Sequence, residues 1–215
     1  MTLVNVSPDA CARVRPSLAL LALAALAALF IPGFSADTLA QSVAPRPVAR
    51  MIGSSGPRPM LASPARCAAR TNFVAASSAP AVAPNSSERR AFELVNEERR
   101  ARGQEPLVWD AELTQLARRH SENMARRNFF SHTDPEGLDT ADRAAVGGVC
   151  GWRAIAENIA YNQGFDDPVG FAVERWMQSP KHRENILRPV FTHAGIGVSR
   201  GADGRVYFTQ VFVAR

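Results

Sequence analysis

The chain after residue 86 predicts an α+β fold. Three segments there have the spacing of amphipathic helices, and two apolar segments near the C-terminus have the composition of β-strands. Residues 201–204 read Gly-Ala-Asp-Gly and separate the two strands, which predicts a hairpin. Helices and a hairpin within one stretch of chain indicate a mixed α and β class.

The helices are predicted from their start and stop residues. The first begins with Ser87 as its cap candidate and stops at Gly103. The second is capped by Asp110 and ends near Asn128, with a buried stripe at helical spacing that comprises Leu113, Leu116, Ala117, His120 and Met124. A turn-rich span over 133–151 leads to a short helical piece over 154–160. A third helix covers 168–178, with Pro168 in its first turn and Ser179-Pro180 as its stop, and the strands follow over 194–198 and 206–213.

Residues 1–40 are predicted to be a signal peptide. Arg13 and Arg15 precede an apolar run over 18–31, and these 14 residues fall short of the ~20 needed to span a bilayer. An uncleaved anchor is the alternative. The interpretation predicts an exported protein, secreted or periplasmic, with no stable membrane span after the signal is removed.

Residues 41–86 are rich in Ala, Pro, Ser and Arg and are predicted to be a disordered linker before a domain over 87–215. The net charge of +5 resides in this leader, because residues 1–87 hold 7 Arg and 2 Asp, whereas 88–215 hold 18 Lys and Arg against 18 Asp and Glu. A neutral domain lacks the basic surface of a phosphate binder, so we expect no nucleic-acid partner.

Three cysteines are present, and Cys11 would leave with the signal peptide. Cys67 and Cys150 remain in an oxidising compartment, where a single disulfide between them would tie the leader to the domain. Two free thiols and a Cys150 nucleophile are the alternatives.

The four histidines all lie between residues 120 and 193. His120 belongs to a buried helical stripe, which is typical of a core histidine. His132 lies in a loop, and His182 follows a helix stop, so both are freer to bind a ligand. Glu157 sits in an apolar segment, where a carboxylate is costly to bury without a partner. The three together would suit a divalent ion such as zinc or general acid–base chemistry, although no His-Glu-x-x-His or Cys-x-x-Cys pattern is present.

Several motifs in order resemble the bacterial, SCP-like branch of the CAP superfamily (cysteine-rich secretory proteins, antigen 5, pathogenesis-related 1). The resemblance covers about residues 88–215. It rests on Leu-Val-Asn-Glu-Glu-Arg at 94–99, Pro-Leu-Val-Trp-Asp-Ala-Glu-Leu at 106–113, Ala-Arg-Arg-His-Ser at 117–121, Phe-Ser-His at 130–132, Ala-Glu-Asn-Ile-Ala at 156–160, Trp-Met-Gln-Ser-Pro-Lys-His-Arg-Glu-Asn-Ile-Leu at 176–187, Gly-Ile-Gly-Val at 195–198 and Tyr-Phe-Thr-Gln-Val-Phe at 207–212.

The resemblance implies a three-layer α-β-α sandwich with cavity residues His132, Glu157 and His182. Two departures accompany it: the family's Gly-Glu-Asn is Ala156-Glu157-Asn158 here, and the second glutamate of the eukaryotic site falls near Ser179. No cofactor is required. His132 and His182 are the candidate ligands if a divalent metal such as zinc binds, more weakly than in a complete two-His, two-Glu site.

Three functions compete, because a fold alone does not assign one. The favoured hypothesis is an exported binding or interaction module whose cavity recognises a small molecule, a lipid or an envelope component. The second is a metal-assisted or His/Glu-dependent extracytoplasmic hydrolase that resembles a protease. The third is a structural module whose polar cluster only stabilises its core.

Overall fold

A computed structural model describes residues 47–53 and 83–215 of the chain. The elements run in the order β1 (Val48–Gly53), α1 (Ser86–Arg100), β2 (Val108–Trp109), α2 (Ala111–Arg127), α3 (Thr140–Val146), β3 (Ala154–Gln163), α4 (Pro168–Gln178), α5 (Pro180–Leu187), β4 (His193–Arg200) and β5 (Val206–Ala214). The predicted signal peptide over 1–40 and most of the predicted linker lie outside the described residues.

The strands form one sheet in the order β1-β3-β5-β4-β2. The short β2 runs parallel to β4, and the other neighbouring strands are antiparallel. At the middle of the sheet Glu157 of β3 lies beside Val211 of β5, which in turn lies beside Gly195 of β4. The 201–204 turn joins β4 to β5 as the sequence predicts.

Helices cover both faces of the sheet, which confirms the three-layer α-β-α sandwich. One core lies between the sheet and α1, α4 and α5, and Trp176 and Phe208 are its largest fully buried side chains from α4 and β5. A second core lies between the other face and α2 and α3, and contains Leu113, Ala144 and Val211. Alternate residues of β5 enter the two cores, as expected for a strand buried on both sides.

Two glycines of β4 allow α2 to pack almost directly on the strand. A Cβ atom added to Gly195 would lie 2.2 Å from the backbone nitrogen of Thr114, and one added to Gly197 would lie 2.1 Å from that of Arg118. Ser121 reinforces the contact by donating to the Gly197 carbonyl at 3.0 Å. The helix that carries His120 is therefore held firmly against the sheet.

Most of the predicted elements are found, with α2 and α4 at the expected bounds and Asp110 as the α2 cap. The α1 cap is Asn85 instead of Ser87, because Asn85 and Glu88 form a reciprocal capping box. The predicted helical piece over 154–160 is wrong: these residues belong to β3. Its alanines gave a helical appearance, but the segment is buried along 155–160 and pairs with β5 on one side and β1 on the other.

Two further predictions about loops need correction. The span over 133–151, predicted to be turns, contains the short helix α3. Residues 48–53, which the composition assigns to a disordered linker, instead form the edge strand β1, because their backbone pairs with β3 along six residues. Within the described residues, no helix is long and apolar enough to cross a membrane.

Candidate functional site

Glu157 is the centre of a buried polar cluster. It occupies the middle of β3 with its side chain on the face covered by α2 and α3, and only 1% of the residue is exposed. One carboxylate oxygen accepts a hydrogen bond from His132 Nδ1 at 2.7 Å, and the other accepts one from Arg143 Nη2 at 2.6 Å. Two cationic or polar donors therefore hold the carboxylate from two sides.

Arg143 links this carboxylate to the loop that carries His132. It belongs to α3, whose first turn is fixed by a capping box between Asp139 and Asp142. Its Nη1 donates to the backbone carbonyls of His132 at 2.7 Å and Leu138 at 2.9 Å. One guanidinium thus positions both members of the His132–Glu157 pair, in the fork geometry that arginine offers and lysine does not.

The environment keeps Glu157 ionised. Burial by itself raises the pKa of the carboxyl, but the positive charges of Arg143 and His120 and the hydrogen bond from His132 outweigh it and lower the pKa to about 2. Glu157 is therefore a charged hydrogen-bond acceptor at neutral pH, and it is not placed to exchange a proton there.

His120 lies beside the cluster on α2. It is buried, as the sequence predicts, and its Nε2 donates to the Ser131 carbonyl at 3.0 Å while lying 3.9 Å from Glu157 Oε1. Burial lowers the pKa of His120, the charges of Arg143 and His132 lower it further, and Glu157 opposes them. His120 is thus a core histidine that also faces the carboxylate.

His132 contacts an acceptor at each ring nitrogen. Nδ1 meets Glu157, and Nε2 lies 3.0 Å from the backbone carbonyl of Ile52 in β1. Both oxygens are hydrogen-bond acceptors, so a ring nitrogen that carries a hydrogen donates to the oxygen it faces. The ring therefore connects the buried carboxylate to the backbone of β1.

His182 approaches from the opposite face of the sheet on α5. Asn158, next to Glu157 in β3, donates to the His182 carbonyl at 3.2 Å and accepts from Asn185 at 2.9 Å, which fixes α5 against the strand. The ring Nδ1 lies 2.7 Å from Ser179 Oγ. Burial lowers the pKa of His182, and the charge of His132 lowers it further. The Ile52 backbone raises this pKa but does not cancel the shift.

The three predicted site residues therefore gather around one edge of β3. His132 and Glu157 are in direct contact, and His182 reaches the same edge from the other face, where the Ile52 backbone lies beside both histidines. Sequence reasoning missed Arg143 and Ile52. The burial of a carboxylate signalled that a cation was needed, but no pattern in the sequence indicated which one.

A cavity of about 280 Å³ opens beside this cluster. Its wall comprises Leu116, Arg119, His120, Asn123, Asp134, Leu138, Arg143, Val146 and Gly147. A larger surface groove of about 700 Å³ runs between α1 and α4, but no residue of the cluster lines it. The smaller cavity is the candidate site because His120 and Arg143 of the cluster line it. His132, Glu157 and His182 do not line it.

The arrangement does not fit a metal ion. Both oxygens of Glu157 are already hydrogen-bonded, and the guanidinium of Arg143 would repel a cation placed beside them. Across residues 47–53 and 83–215, no group of three or more His, Cys, Asp or Glu side chains is arranged to hold a metal. Zinc binding by His132 and His182 stays a prediction.

Cys150 is disulfide-bonded. The other two cysteines of the chain, Cys11 and Cys67, lie outside the described residues. The Cys67–Cys150 pairing stays a prediction, and peptide mapping without reduction would identify the partner.

Comparison with known proteins agrees with this fold. Residues 92–212 match the model of the Cysteine-rich secretory protein family, CAP, and the chain belongs to that family. It is similar to the uncharacterized membrane protein YlbC and the uncharacterized protein YkwD of Bacillus subtilis (strain 168). The identities are 38% over 130 residues and 35% over 128 residues, each 60% of this chain. The matches span 35% and 47% of those relatives' own lengths.

Solved structures show the same architecture. An extracellular protein with an SCP domain from Bacillus anthracis str. Ames is 30% identical with a TM-score of 0.53, over 61% of this chain and 41% of that one. An outer surface protein from Borrelia burgdorferi is 18% identical with a TM-score of 0.55, over 62% of this chain and 96% of that one. At that identity the second likeness concerns the fold alone.

Proposed function

We propose that this chain is an exported CAP-domain binding module whose His/Glu cluster recognises a small molecule, a lipid or an envelope component. The observation that carries the proposal is the state of Glu157, whose two oxygens are held by Arg143 and His132 and whose pKa is lowered to about 2. A carboxylate so engaged orients His132, whose Nε2 is directed at the Ile52 carbonyl of β1.

The adjoining cavity supports recognition of a ligand that carries a polar acceptor. Its volume of about 280 Å³ is close to the lower limit of small-molecule pockets, ~300 Å³. The predicted signal peptide over 1–40 supports export, as does the likeness to the extracellular protein of Bacillus anthracis. The proposal of export covers two destinations, the periplasm and the surrounding medium.

A His/Glu-dependent hydrolase is the alternative, and this function requires a general base in the cluster, which binding does not. A general base needs a pKa near the working pH and a free lone pair directed at water. Glu157 meets neither requirement while Arg143 and His132 bind it. The geometry therefore favours recognition over proton transfer.

The experiment is ligand capture by the mature protein. The purified protein is incubated with an envelope extract, separated from unbound material, and analysed for retained small molecules by mass spectrometry. We expect a ligand that the His132→Ala/His182→Ala double variant no longer retains. His193→Ala is the matched control, because His193 lies on β4 outside the cluster.

Two outcomes would count against binding as the function. If the double variant retains the same ligands as the wild type, the cluster is not the recognition site. If no ligand is retained and the wild type, but not the double variant, hydrolyses a peptide or ester from the same extract, the hydrolase replaces the binding module.

A further inference from the structure

β1 is an added strand at the edge of the sheet. It pairs with β3 in antiparallel register from Val48 beside Gln163 to Gly53 beside Asn158. Within the described part of the chain, β1 is the sole element before residue 83, and residues 54–82 connect it to the domain. Within the described residues, the contacts of β1 with β3 and its neighbours are what place it on the sheet.

Few side chains hold β1 in place. None of Val48, Ala49, Arg50, Met51 and Ile52 is buried, and only the last two are half-buried. These two point to opposite faces, where Met51 packs on the core containing α4 and Ile52 packs on a cluster that includes Ile159 of β3. Arg50 adds a contact over the Phe130 ring at 5.6 Å. An element with so little buried surface belongs to the part of a fold that opens most easily.

The main chain of β1 is recognised more closely than its side chains. The Ile52 carbonyl accepts a hydrogen bond from His132 Nε2 at 3.0 Å, and the Ile52 backbone also acts on the His182 ring. His132 thus binds one peptide unit of β1 directly, and the buried Nε2 of His182, which has no hydrogen-bond partner among the described residues, lies near the same unit. A peptide group is present in every extended segment, so this recognition does not depend on the identity of residue 52.

We propose that the β3 edge, together with His132 and His182, is a binding site for an extended polypeptide segment, and that residues 48–53 occupy it in cis. This inference names the ligand class of the binding module proposed above and rests on that function. Strand addition to an open sheet edge gives affinity through the backbone and selectivity through alternate side chains. The apolar clusters against which Met51 and Ile52 pack favour two consecutive apolar residues.

The cis strand acts as a tethered competitor. β1 belongs to the same chain as the edge it occupies, so its binding is intramolecular and a free peptide competes with it at a disadvantage. A free peptide at micromolar concentration therefore binds only when β1 leaves the edge or when cleavage within the connection dilutes it. While β1 occupies the β3 edge, that edge cannot pair with strands of other chains.

The test uses the full mature chain and a fluorescent peptide of residues 47–53, Pro-Val-Ala-Arg-Met-Ile-Gly. Met51→Asp/Ile52→Asp removes the two half-buried contacts of β1. Val48→Asp/Ala49→Asp is the matched control, because it adds the same charge to the same strand at two exposed positions. Binding is followed by anisotropy, with a peptide N-methylated on alternate amides as the control for backbone pairing.

We expect the Met51→Asp/Ile52→Asp chain to bind the peptide about tenfold or more tightly than the wild type and the matched control. Adding His132→Ala should weaken that binding, while adding His193→Ala should not. No binding to the Met51→Asp/Ile52→Asp chain, when that chain still captures the envelope ligand, would overturn the strand-binding site and leave the proposed function intact. Loss of both would overturn both.

Hydrogen exchange of the wild-type chain gives a second reading that needs no variant. We expect the amides of β1 to exchange at a lower opening free energy than those of β5, because β1 detaches alone. Equal protection in the two strands would show that β1 is a permanent part of the sheet, and the proposal would fall.

Discussion

The outer nitrogen of His132 donates to the main-chain carbonyl of Ile52, 80 residues earlier in the chain. The inner nitrogen of the same ring is bound to Glu157, so the imidazole connects the buried carboxylate to the edge strand. A change at the Glu157 carboxylate therefore alters the hydrogen bond that His132 makes to the β1 backbone. The predictions below follow from this connection and from the packing that fixes it.

Replacing Arg143 should destabilise the domain strongly. In Arg143→Met the buried Glu157 loses its main counter-charge, and the cost of such an uncompensated charge is about 3–5 kcal/mol. The free energy of unfolding is measured in urea. Arg127→Met is the control, because its ion pair with Glu136 is largely exposed and is worth about 1 kcal/mol at most. Similar losses in the two variants would contradict the central role of Arg143.

Stability should fall as the solution is acidified. Burial depresses the pKa of His120 and of His182, so the unfolded chain takes up more protons than the folded one once the pH drops below about 6.5. Glu157 has a folded pKa of about 2 against 4.5 when unfolded, so its contribution is complete above 4.5 and is lost as the pH falls towards 2. Urea titrations between pH 8 and 3 would measure both effects.

The contribution of Glu157 to this pH dependence can be isolated. Glu157→Gln removes the group that titrates, so its stability should decline less steeply than that of the wild type below pH 4.5. Glu136→Gln serves as the control, since Glu136 is exposed. A Glu157→Gln chain with an unchanged slope would show that other groups dominate the acid response.

Adding a single methyl group to β4 should prevent normal packing of α2. In Gly197→Ala the new Cβ would lie 2.1 Å from the Arg118 nitrogen, so helix and strand must separate. We expect a loss above about 3 kcal/mol or failure to fold. Gly103→Ala meets no atom within 4 Å and carries only the strain of a φ of +70°, about 1–2 kcal/mol. Thermal unfolding measures the stability of both variants. Equal losses in the two would contradict the close packing of α2 on β4.

Arg99 should be needed to hold the segment that follows α5. Its guanidinium is buried and donates to the carbonyls of Ile186, Arg188 and Phe191, with the Glu105 carbonyl as a further acceptor. Arg99→Met leaves these carbonyls without that donor, and each buried loss costs about 1–3 kcal/mol. Hydrogen exchange in α5, which carries His182, should accelerate. The exposed Arg100→Met should leave it unchanged.

The mature protein purified without chelator should contain less than one zinc per chain. Arg143 occupies one oxygen of Glu157 and disfavours a cation beside it, so His132 and His182 would have to bind zinc without the carboxylate. Elemental analysis of the wild type beside His132→Ala/His182→Ala measures this directly. Stoichiometric zinc in the wild type alone would show that Arg143 can leave the carboxylate.

The sequence predicted the elements whose signals are local. The Asp110 cap with its helical stripe, Pro168 in the first turn of α4 and the 201–204 turn all specify structure through neighbours a few residues away. The three-layer arrangement came from the resemblance to a family, because no single segment indicates what packs on it. His132, Glu157 and His182 were selected from their own sequence positions, and the resemblance assigned them to one cavity.

The features that the sequence did not predict depend on contacts between distant segments. Ala154–Gln163 has small and polar residues that suit a helix, and only pairing with β5 on one side and β1 on the other makes it a strand. Val48–Gly53 has no strand signal apart from this pairing. Arg143 is recognisable as the partner of Glu157 only when α3 has been placed against β3.

The register of β1 also bears on the order in which the molecule assembles. Every residue of β1 pairs with one more than a hundred positions later in the chain, whereas β4 and β5 form a hairpin around a short turn. Closing so long a loop is slow relative to forming the hairpin, so we expect the outer strand to join a sheet that is already complete. Of the five strands in this sheet, the first to be synthesised is then the last to fold.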